Sequence, residues 1–405
     1  MSAAGGRPPV LLLVTLTVGG VMAINIYIPS MPDIARALTT SESAVQQTVT
    51  VFLITFAAAQ LVYGPLSDRY GRRYVLLGGL CIFIAANLLC AAAVSIDFLL
   101  GARILQAAGA ACGSVLTRAI VRDSYGIKGA VRIMGYLAMS AGIAAAVAPT
   151  IGGALQTAFG WRSGFLFLAA VAAVPVFAAI FVLRETHTER EAQGGGIGVI
   201  LRNYGKLWRS QQFLGYALSV AFVNGAFFAF ITASPFILME RIGLTPDVFG
   251  VMMLFSTGGF LIGTWTGPRV AARIGLHATI AIGAVSTTLF IAAMTGVALA
   301  GIVTVSAVMV PMFLIGISAG FIFPPSSAAA VGLMPQIAGT ASAALGFLQL
   351  GMGAIGSGLA SVLVHDTQLP VAILMLVMSL GGLGALVLIR RGGGTPEQAP
   401  GQVQS

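Results

Sequence analysis

The chain is a series of long apolar stretches separated by short polar ones. Each stretch holds roughly 20 residues with few charges, the length that an α-helix needs to cross the hydrocarbon of a membrane. The pattern predicts an all-α polytopic membrane protein with about twelve transmembrane helices. The predicted spans are residues 10–31, 45–64, 74–94, 98–121, 133–157, 164–183, 213–238, 248–267, 279–297, 302–323, 338–364 and 370–389.

The composition supports the same interpretation. Of the 405 residues, 58% are hydrophobic and only 8% are charged, whereas a soluble domain has about 25% charged residues. The net charge of +9 would suggest a nucleic-acid partner in a soluble protein, but lysine and arginine here lie in short groups between apolar stretches. The three cysteines and three histidines show no spacing typical of a metal site. The sequence therefore predicts no nucleic acid, no metal and no cofactor.

The basic residues also predict the orientation. Loops rich in lysine and arginine stay on the cytoplasmic side of a membrane. With the N terminus inside, most basic residues fall on the inner face, and only Arg36, Arg162 and Arg241 fall on the outer face. Both termini are therefore predicted to be cytoplasmic.

The longest connection divides the spans six and six. It covers residues 184–212, is charged and contains a run of three glycines, as flexible linkers do. The predicted organisation is an N-terminal six-helix bundle (1–183), a cytoplasmic linker (184–212), a C-terminal six-helix bundle (213–391) and a disordered cytoplasmic tail (392–405) rich in glycine, proline and glutamine.

Landmarks at similar spacing indicate that the two halves are repeats. Proline, acidic and glycine positions recur about 205 residues apart, as the pairs Pro29 and Pro235, Glu42 and Asp247, and Gly71 and Gly275. Duplicated halves that enclose a site near the middle of the bilayer are an arrangement of secondary transporters. The repeat thus predicts transport by alternating access.

The loop after the second span reads GPLSDRYGRR, residues 64–73. It resembles the signature loop of the major facilitator superfamily, G-x-L-a-D-r-x-G-r-r, at every fixed position. The small Gly64 would let helices approach closely, and the Asp68 carboxylate could pair with a cation. The resemblance implies that this loop, including Arg69 and Gly71, gates the conformational change.

The same resemblance implies a partner for Asp68. The carboxylate would hold the outward-open state through contacts at the cytoplasmic ends of the fourth and eleventh spans, and Arg122 is the expected partner. Arg72 and Arg73 are expected to be topology signals only.

The fourth span contains LGARILQAAG, residues 100–109, similar to the family segment l-x-x-R-x-x-q-G with Ala107 in place of the glycine. An arginine inside a span costs several kcal/mol unless it is paired, reaches the interface or faces water. Arg103 could therefore reach the outer rim. Alternatively, as the resemblance implies, it faces a cavity and assists proton coupling or substrate binding. Gln106 and Arg118, polar residues of the same span, are predicted to lie on the same pathway.

The fifth span contains AAAVAPTIGG, residues 144–153. This looks like the antiporter motif g-x-x-x-G-P-x-x-G-G of drug exporters, with alanine at both earlier glycines. Pro149 removes a helical hydrogen bond and bends the helix, and Gly152 and Gly153 permit a close helix crossing. The three residues are predicted to act in conformational gating.

Four further segments resemble the bicyclomycin/chloramphenicol-resistance subfamily of drug exporters. The resemblance implies a bacterial-type inner (plasma) membrane protein that exchanges drugs for protons. One departure concerns the proton, because the subfamily commonly has an aspartate two residues before Tyr27 and this chain has Asn25, whose amide cannot titrate. Either Asp33 carries the proton, or coupling is altered or absent. The four segments are IYIPSMP (26–32), AIVRD (119–123), SPF (234–236) and AGTASA (338–343).

Polar residues inside spans are costly unless they face protein or water, so they nominate a cavity. Asn25 and Asn224, in the first span of each half, are the preferred candidates. Phe227 and Phe228 share a helix face with Asn224 and could either line an apolar pocket or pack against other rings. The remaining candidates are Gln46, Gln47, Gln60, Arg103, Gln106, Arg118 and Gln349, of which Gln60 and Gln349 are expected to bond between helices.

The leading functional hypothesis is export of hydrophobic or amphiphilic drugs in exchange for protons, by a monomer that contacts only drug, protons and lipid. A carrier of a polar or anionic metabolite is the alternative, since Arg103 and Arg118 could bind an anion. A non-transporting membrane sensor or an intramembrane enzyme is less favoured. The apolar stretches contain no catalytic constellation, so the chain is not predicted to be an enzyme.

Overall fold

Twelve helices long and apolar enough to cross a membrane form the computed structural model, which describes residues 8–186, 197–363 and 367–392. The prediction of an all-α protein with twelve spans is confirmed, and the described ranges contain no strand. We number the helices spans 1 to 12. They are Val10–Ala37, Glu42–Tyr70, Arg72–Ala91, Ile96–Tyr125, Arg132–Phe159, Arg162–Val182, Gln211–Arg241, Pro246–Ile274, Leu276–Leu299, Val305–Gly332, Pro335–Val362 and Leu369–Arg391.

Several helices extend beyond the apolar stretches that predict them, because hydropathy marks only the part that lies in hydrocarbon. Span 2 is predicted over residues 45–64, whereas the helix covers Glu42–Tyr70. Its first turn is capped by Ser41, whose hydroxyl accepts a hydrogen bond from the Ala44 amide at 3.2 Å. The helix therefore continues past the apolar stretch into polar residues at both ends.

Three spans contain irregular helical segments. Span 1 consists of the helices Val10–Asn25 and Met31–Ala37, joined by a short 3₁₀ turn. Span 7 changes to a π-helix over Phe236–Arg241, and span 10 is divided into Val305–Gly320 and Phe323–Gly332. The break in span 1 directly follows Asn25.

Spans 4 and 5 are joined without a gap in helical hydrogen bonding, over Ile96–Phe159. The chain nevertheless reverses between them. Gly113 of span 4 lies against Leu16, and Gly152 of span 5 lies against Ile26. A straight helix would separate the two glycines by about 58 Å, far more than the roughly 15 Å between their partners in span 1.

Spans 8 and 10 pack backbone to backbone through glycines. Gly259 and Gly263 lie against the backbone of residues 313–320, and Gly316 and Gly320 lie against the backbone of span 8. A methyl group at any of these four positions would overlap main-chain atoms. These two cavity-lining helices of the second half are therefore in direct backbone contact at the glycine positions.

The equivalent glycines of the two halves share one backbone conformation. Gly71 has φ +95° and ψ 146°, and Gly275 has φ +89° and ψ 157°. Each ends the second span of its half and starts the third, at a positive φ that favours glycine. At Gly71 an added methyl group would also collide with the Glu185 carboxylate, which accepts hydrogen bonds from the amides of Arg72 and Arg73.

The connection predicted as a linker over 184–212 contains a helix, Ile197–Arg209. Its Leu207 is completely buried in a cluster with Phe213 and Ala341. Ser210 then caps span 7 by accepting a hydrogen bond from Phe213 N at 3.3 Å. The helix is too polar to appear as an apolar stretch. The three-glycine run and all but the first residue of the predicted tail lie outside the described residues, and that first residue, Gly392, ends the last helix.

Because the number of spans is even, the first and last helices begin and end on the same side of the protein. We call that side the terminal face and the opposite side the distal face. The loop at residues 64–73 lies on the terminal face, and the ends of spans 1, 5 and 7 lie on the distal face.

Candidate functional site

A cavity of about 260 Å³ lies between the two halves, about midway along the spans. Spans 1 and 5 line it from the first half, and spans 7, 8, 9, 10 and 12 line it from the second. Its wall is mostly apolar, and none of its lining residues is charged. The polar lining residues are Asn25, Asn224, Ser256, Thr257 and Thr287.

Both asparagines nominated from the sequence line this cavity. The Asn25 amide nitrogen donates to the Val21 carbonyl at 2.9 Å, and the Asn224 amide nitrogen donates to the Gln349 carbonyl at 2.7 Å. These bonds fix which end of each amide is the donor. The two side-chain oxygens accept no hydrogen bond from the described residues, so each is an acceptor available to a ligand.

Aromatic rings form much of the second-half wall. Phe227 and Phe228 both line the cavity and also contact each other edge to face, with ring centroids 5.9 Å apart. The two rings therefore both line the pocket and pack against each other. Phe230, Phe260 and Phe323 complete the aromatic lining.

Arg103 lies behind the cavity wall, inside the first half. Its side chain is completely buried, with the guanidinium 4.1 Å from the Tyr27 ring centroid and 4.3 Å from that of Phe52. It donates to the Ala23 carbonyl at 3.1 Å and to the Gln106 side chain. Thus Arg103 neither reaches the outer rim nor lines the cavity in this conformation.

No carboxylate among the described residues pairs with Arg103, and its Nε and second terminal nitrogen have no hydrogen-bond partner there. Polar side chains surround it instead. Gln106 donates to Asn87 at 2.7 Å, and the hydroxyls of Tyr27 and Thr48 are 2.9 Å apart. Tyr27, Arg103 and Gln106 therefore form one network within the first half, which carries an uncompensated positive charge.

Arg118 is separated from this network. It lies fifteen residues further along span 4, about 22 Å toward the terminal face, and its side chain is exposed. Its Nε donates to the Ser114 carbonyl of the same helix at 2.9 Å. Arg103 and Arg118 cannot bind one small anion together in this conformation.

The segment that resembles the antiporter motif closes the distal side of the cavity. Gly153 lies against the backbone of Pro246 and Asp247 at the start of span 8, and Gly250 lies against the backbone of Pro149. The Thr150 hydroxyl donates to the Gly250 carbonyl at 3.0 Å. Spans 5 and 8 thus meet without intervening side chains.

Gly152 faces a different neighbour. A methyl group there would overlap the Ile26 carbonyl of span 1, so the two adjacent glycines place span 5 against both halves. The Thr50 and Ser357 hydroxyls, 2.9 Å apart, add a contact between spans 2 and 11.

Charged residues reinforce the barrier at the distal ends of the spans. Arg36 of span 1 lies 2.7 Å from Glu240 of span 7 and also pairs with Asp33. Gln156 of span 5 donates to Asp33. We call these four residues the distal ion cluster. Sequence reasoning named Asp33 as a possible proton carrier but gave no signal that residues 36 and 240 meet.

The loop of residues 64–73 differs from its expected contacts. Asp68 is 2.6 Å from Arg72, whereas Arg122 is 67% exposed and lies 3.8 Å from Asp123. The expected pair of Asp68 and Arg122 is absent from this conformation. Gly64 has no neighbour within 4 Å of where a methyl group would be, so it does not serve a close helix crossing here.

Arg72 and Arg73 are more than topology signals. The Arg72 side chain is 4% exposed and binds Asp123 at 3.1 Å as well as Asp68, and Arg73 donates to the Ile180 carbonyl at 2.6 Å. Sequence reasoning missed these contacts because the partners, Asp123 and Ile180, lie on spans 4 and 6, which the loop sequence does not reveal. Arg69 of the same loop lies over the neighbouring Tyr70 ring.

Comparison with known proteins identifies the family. Residues 12–361 match the family model described as Major Facilitator Superfamily. The chain is 31% identical over 372 residues to multidrug resistance protein D of Escherichia coli (strain K12), covering 91% of this chain and 92% of that protein. It is 32% identical over 390 residues to the chloramphenicol resistance protein of Pseudomonas aeruginosa, covering 93% and 89%.

A solved structure shares the fold. It is described as a bacterial homolog to the human lysosomal transporter Spinster in an inward-facing and occupied conformation, with TM-score 0.68, 15% identity and coverage of 95% of this chain and 94% of that one. The family model spans most of this chain, and the two relatives align over nearly their whole lengths. The chain therefore belongs to the major facilitator superfamily and, as its motifs predict, to the bicyclomycin/chloramphenicol-resistance subfamily.

Proposed function

We propose that this protein exports hydrophobic or amphiphilic drugs by alternating access, in exchange for protons. The observation that carries the proposal is the uncharged, aromatic-lined cavity shared by both halves. Such walls suit ligands that are largely apolar. The names of the two bacterial relatives, which refer to multidrug and chloramphenicol resistance, support the same substrate class.

The distribution of charge disfavours the metabolite carrier. An anionic metabolite would need cationic or donor groups in the cavity. Of the two candidate arginines, Arg103 lies behind the cavity wall and Arg118 lies about 22 Å from Arg103 along span 4. The sensor and enzyme alternatives are set aside because the family and the relatives are transporters.

The proposed location is the inner membrane of a bacterium. In the proposed orientation both termini lie in the cytoplasm. The lysine and arginine bias of the loops supports that orientation. The barrier described above would then face outward, and drug would reach the cavity from the cytoplasmic side. One chain contains a complete cavity, which supports a monomer as the working unit.

We place the proton at the distal ion cluster. The cavity lining contains no titratable side chain. Its Asn25 is an amide and cannot carry a proton. Asp33 and Glu240 are carboxylates that link spans 1, 5 and 7 across the barrier. The pair of Arg36 and Glu240 joins the two halves, so it must separate when the distal face opens, which would expose Glu240 and the neighbouring Asp33 to protons from outside.

Transport by everted membrane vesicles tests the function. Adding chloramphenicol or another exported drug to vesicles with an imposed pH gradient is expected to dissipate that gradient, and cells that express the protein should survive higher drug concentrations. Vesicles without the protein are the control. Growth protection with an untouched gradient would overturn proton exchange alone, and no protection across a drug panel would overturn drug export.

Removing the ion pair across the barrier is expected to favour the outward-open state moderately. Exposed ion pairs contribute about 0–1 kcal/mol, so Arg36→Gln and Glu240→Gln should each raise the outward-open population up to about fivefold. The double variant should match either single variant, because the second substitution has no partner left to remove. Outside labelling of a cysteine placed in the cavity measures this population.

Arg162→Gln is the matched control, since Arg162 is an exposed arginine near the same face that donates to the Ala93 carbonyl rather than to the other half. Additive effects of Arg36→Gln and Glu240→Gln would show that the two residues act separately.

A further inference from the structure

We propose that the cavity selects uncharged amphiphiles that carry hydrogen-bond donors, and that it rejects lipophilic cations. The inference rests on the proposed drug export and narrows its substrate class. It depends on three observations. The lining is uncharged, the side-chain oxygens of Asn25 and Asn224 are free to accept hydrogen bonds, and Arg103 lies directly behind the wall.

The lining offers nothing to neutralise a cation. A charged ligand that leaves water loses its hydration and needs an opposite charge in return, but the lining contains no carboxylate. Phe227 and Phe228 could attract a cation through their ring faces, an interaction weaker than a buried ion pair. Asn25 occupies a position in the wall where an aspartate would supply the missing charge.

The uncompensated charge of Arg103 opposes cations further. Its guanidinium donates to the carbonyl of Ala23, two residues before Asn25 in the cavity wall. It is completely buried, so water does not screen it, and the electrostatic effect of a charge grows as the local dielectric constant falls. A positive ligand in the cavity would therefore be repelled by this neighbouring positive charge.

Anions are disfavoured for a different reason. The amide nitrogens of Asn25 and Asn224 are committed to backbone carbonyls, and the Thr257 hydroxyl donates to Met253. The two asparagines present oxygen acceptors, which repel an anion but suit a hydroxyl or amide donor. The Thr287 hydroxyl is buried in the same lining without a partner among the described residues and can complete the hydrogen bonding of such a ligand.

A matched pair of ligands tests the proposal on the purified full-length protein. Chloramphenicol is uncharged and carries hydroxyl and amide donors, and its deacylated base retains the nitrophenyl propanediol but carries a protonated amine. Displacement of radiolabelled chloramphenicol by the two compounds gives both affinities. We expect the base to bind at least about tenfold more weakly, a difference of about one unit in log Kd.

Substitution of Asn25 should largely remove this preference. Asn25→Asp introduces a carboxylate into the cavity lining, so the deacylated base should gain about tenfold in affinity while chloramphenicol changes by less than about threefold. Asn203→Asp is the matched control, because Asn203 lies in the helix between the halves and the same charge change there should alter neither affinity. Asn224→Leu should weaken chloramphenicol about tenfold by removing one acceptor.

The binding measurements can contradict the inference alone or drug export as well. If the wild-type protein binds the base as tightly as chloramphenicol, or if folded Asn25→Asp protein gains no affinity for the base, the inference is wrong while drug export can still stand. If neither compound nor any uncharged drug of a panel binds, drug export fails and the inference fails with it. Thermal unfolding followed by the fluorescence of the three tryptophans shows whether each variant is folded.

Discussion

Replacing Arg103 with methionine is expected to abolish drug-dependent proton flux while leaving the protein folded. A buried charge without a partner costs several kcal/mol, and this cost raises the free energy of the conformation described here relative to one that hydrates the guanidinium. Methionine removes the cost and fills the space between the Tyr27 and Phe52 rings. If only about 2.8 kcal/mol is relieved, the conformational equilibrium shifts about 100-fold toward the closed distal face.

Two measurements separate this explanation from simple damage. The thermal stability of Arg103→Met should equal or exceed that of the wild type, because apolar replacement of a buried charge is often neutral or stabilising. Flux in vesicles should fall to background. Arg103→Lys, which retains the charge, should retain part of the flux.

Arg162→Met is the matched control for Arg103→Met. Arg162 also lies over an aromatic ring, 4.0 Å from the Trp161 centroid, and also donates to a backbone carbonyl, but it is exposed at the distal end of span 6. Its substitution should leave flux within about twofold of wild type, because an exposed cation–π contact is worth about 0.5–1 kcal/mol. Normal flux in Arg103→Met would show that the buried charge has no part in coupling.

Adding a single methyl group at Gly153 is expected to disable the barrier. In Gly153→Ala the new carbon would overlap main-chain atoms of Pro246 and Asp247, and a backbone cannot move aside as a side-chain tip can. Overpacking of this kind costs about 1–3 kcal/mol, paid only when the distal face is closed. The outward-open state should rise in population about 5- to 150-fold, and transport should fall accordingly.

Gly135→Ala provides the control in the same helix. Gly135 is exposed and has no neighbour within 4 Å of the added carbon, so transport should be unchanged. A cysteine in place of the cavity residue Ser256, with the exposed Cys81 replaced by serine, reports the conformation through its reaction with an impermeant maleimide added outside. If Gly153→Ala protein reacts no faster than wild type, spans 5 and 8 do not form the barrier.

The sequence predicted the elements that depend on local pattern, because hydropathy and loop charge are properties of neighbouring residues. It also nominated Asn25 and Asn224, since an amide in an apolar helix must face either protein or a wet space. It could not place Arg103. The helical period assigns that residue to a face, but whether the face meets the cavity or another helix depends on Tyr27 and Asn87, which lie on spans 1 and 3.

The contacts that local pattern could not supply are those between distant segments. The burial of Arg72 depends on Asp123, 51 residues away, and the ion pair that reinforces the barrier joins Arg36 to Glu240, 204 residues away. A motif predicts that a loop matters, whereas the identity of each partner emerges only when the helices are packed.

The glycine seam between spans 8 and 10 limits how the cavity can adapt to drugs of different shape. With backbones in direct contact at Gly259, Gly263 and Gly320, no side chains separate the two helices at those crossing points, and the helices act as a stiff frame. Adaptation to ligands of different shape would then come from the side chains that line the cavity, such as Phe227 and Phe228 of span 7 and Phe260 and Phe323 of spans 8 and 10. Tolerance of many ligands would thus reside in phenyl groups mounted on a rigid scaffold.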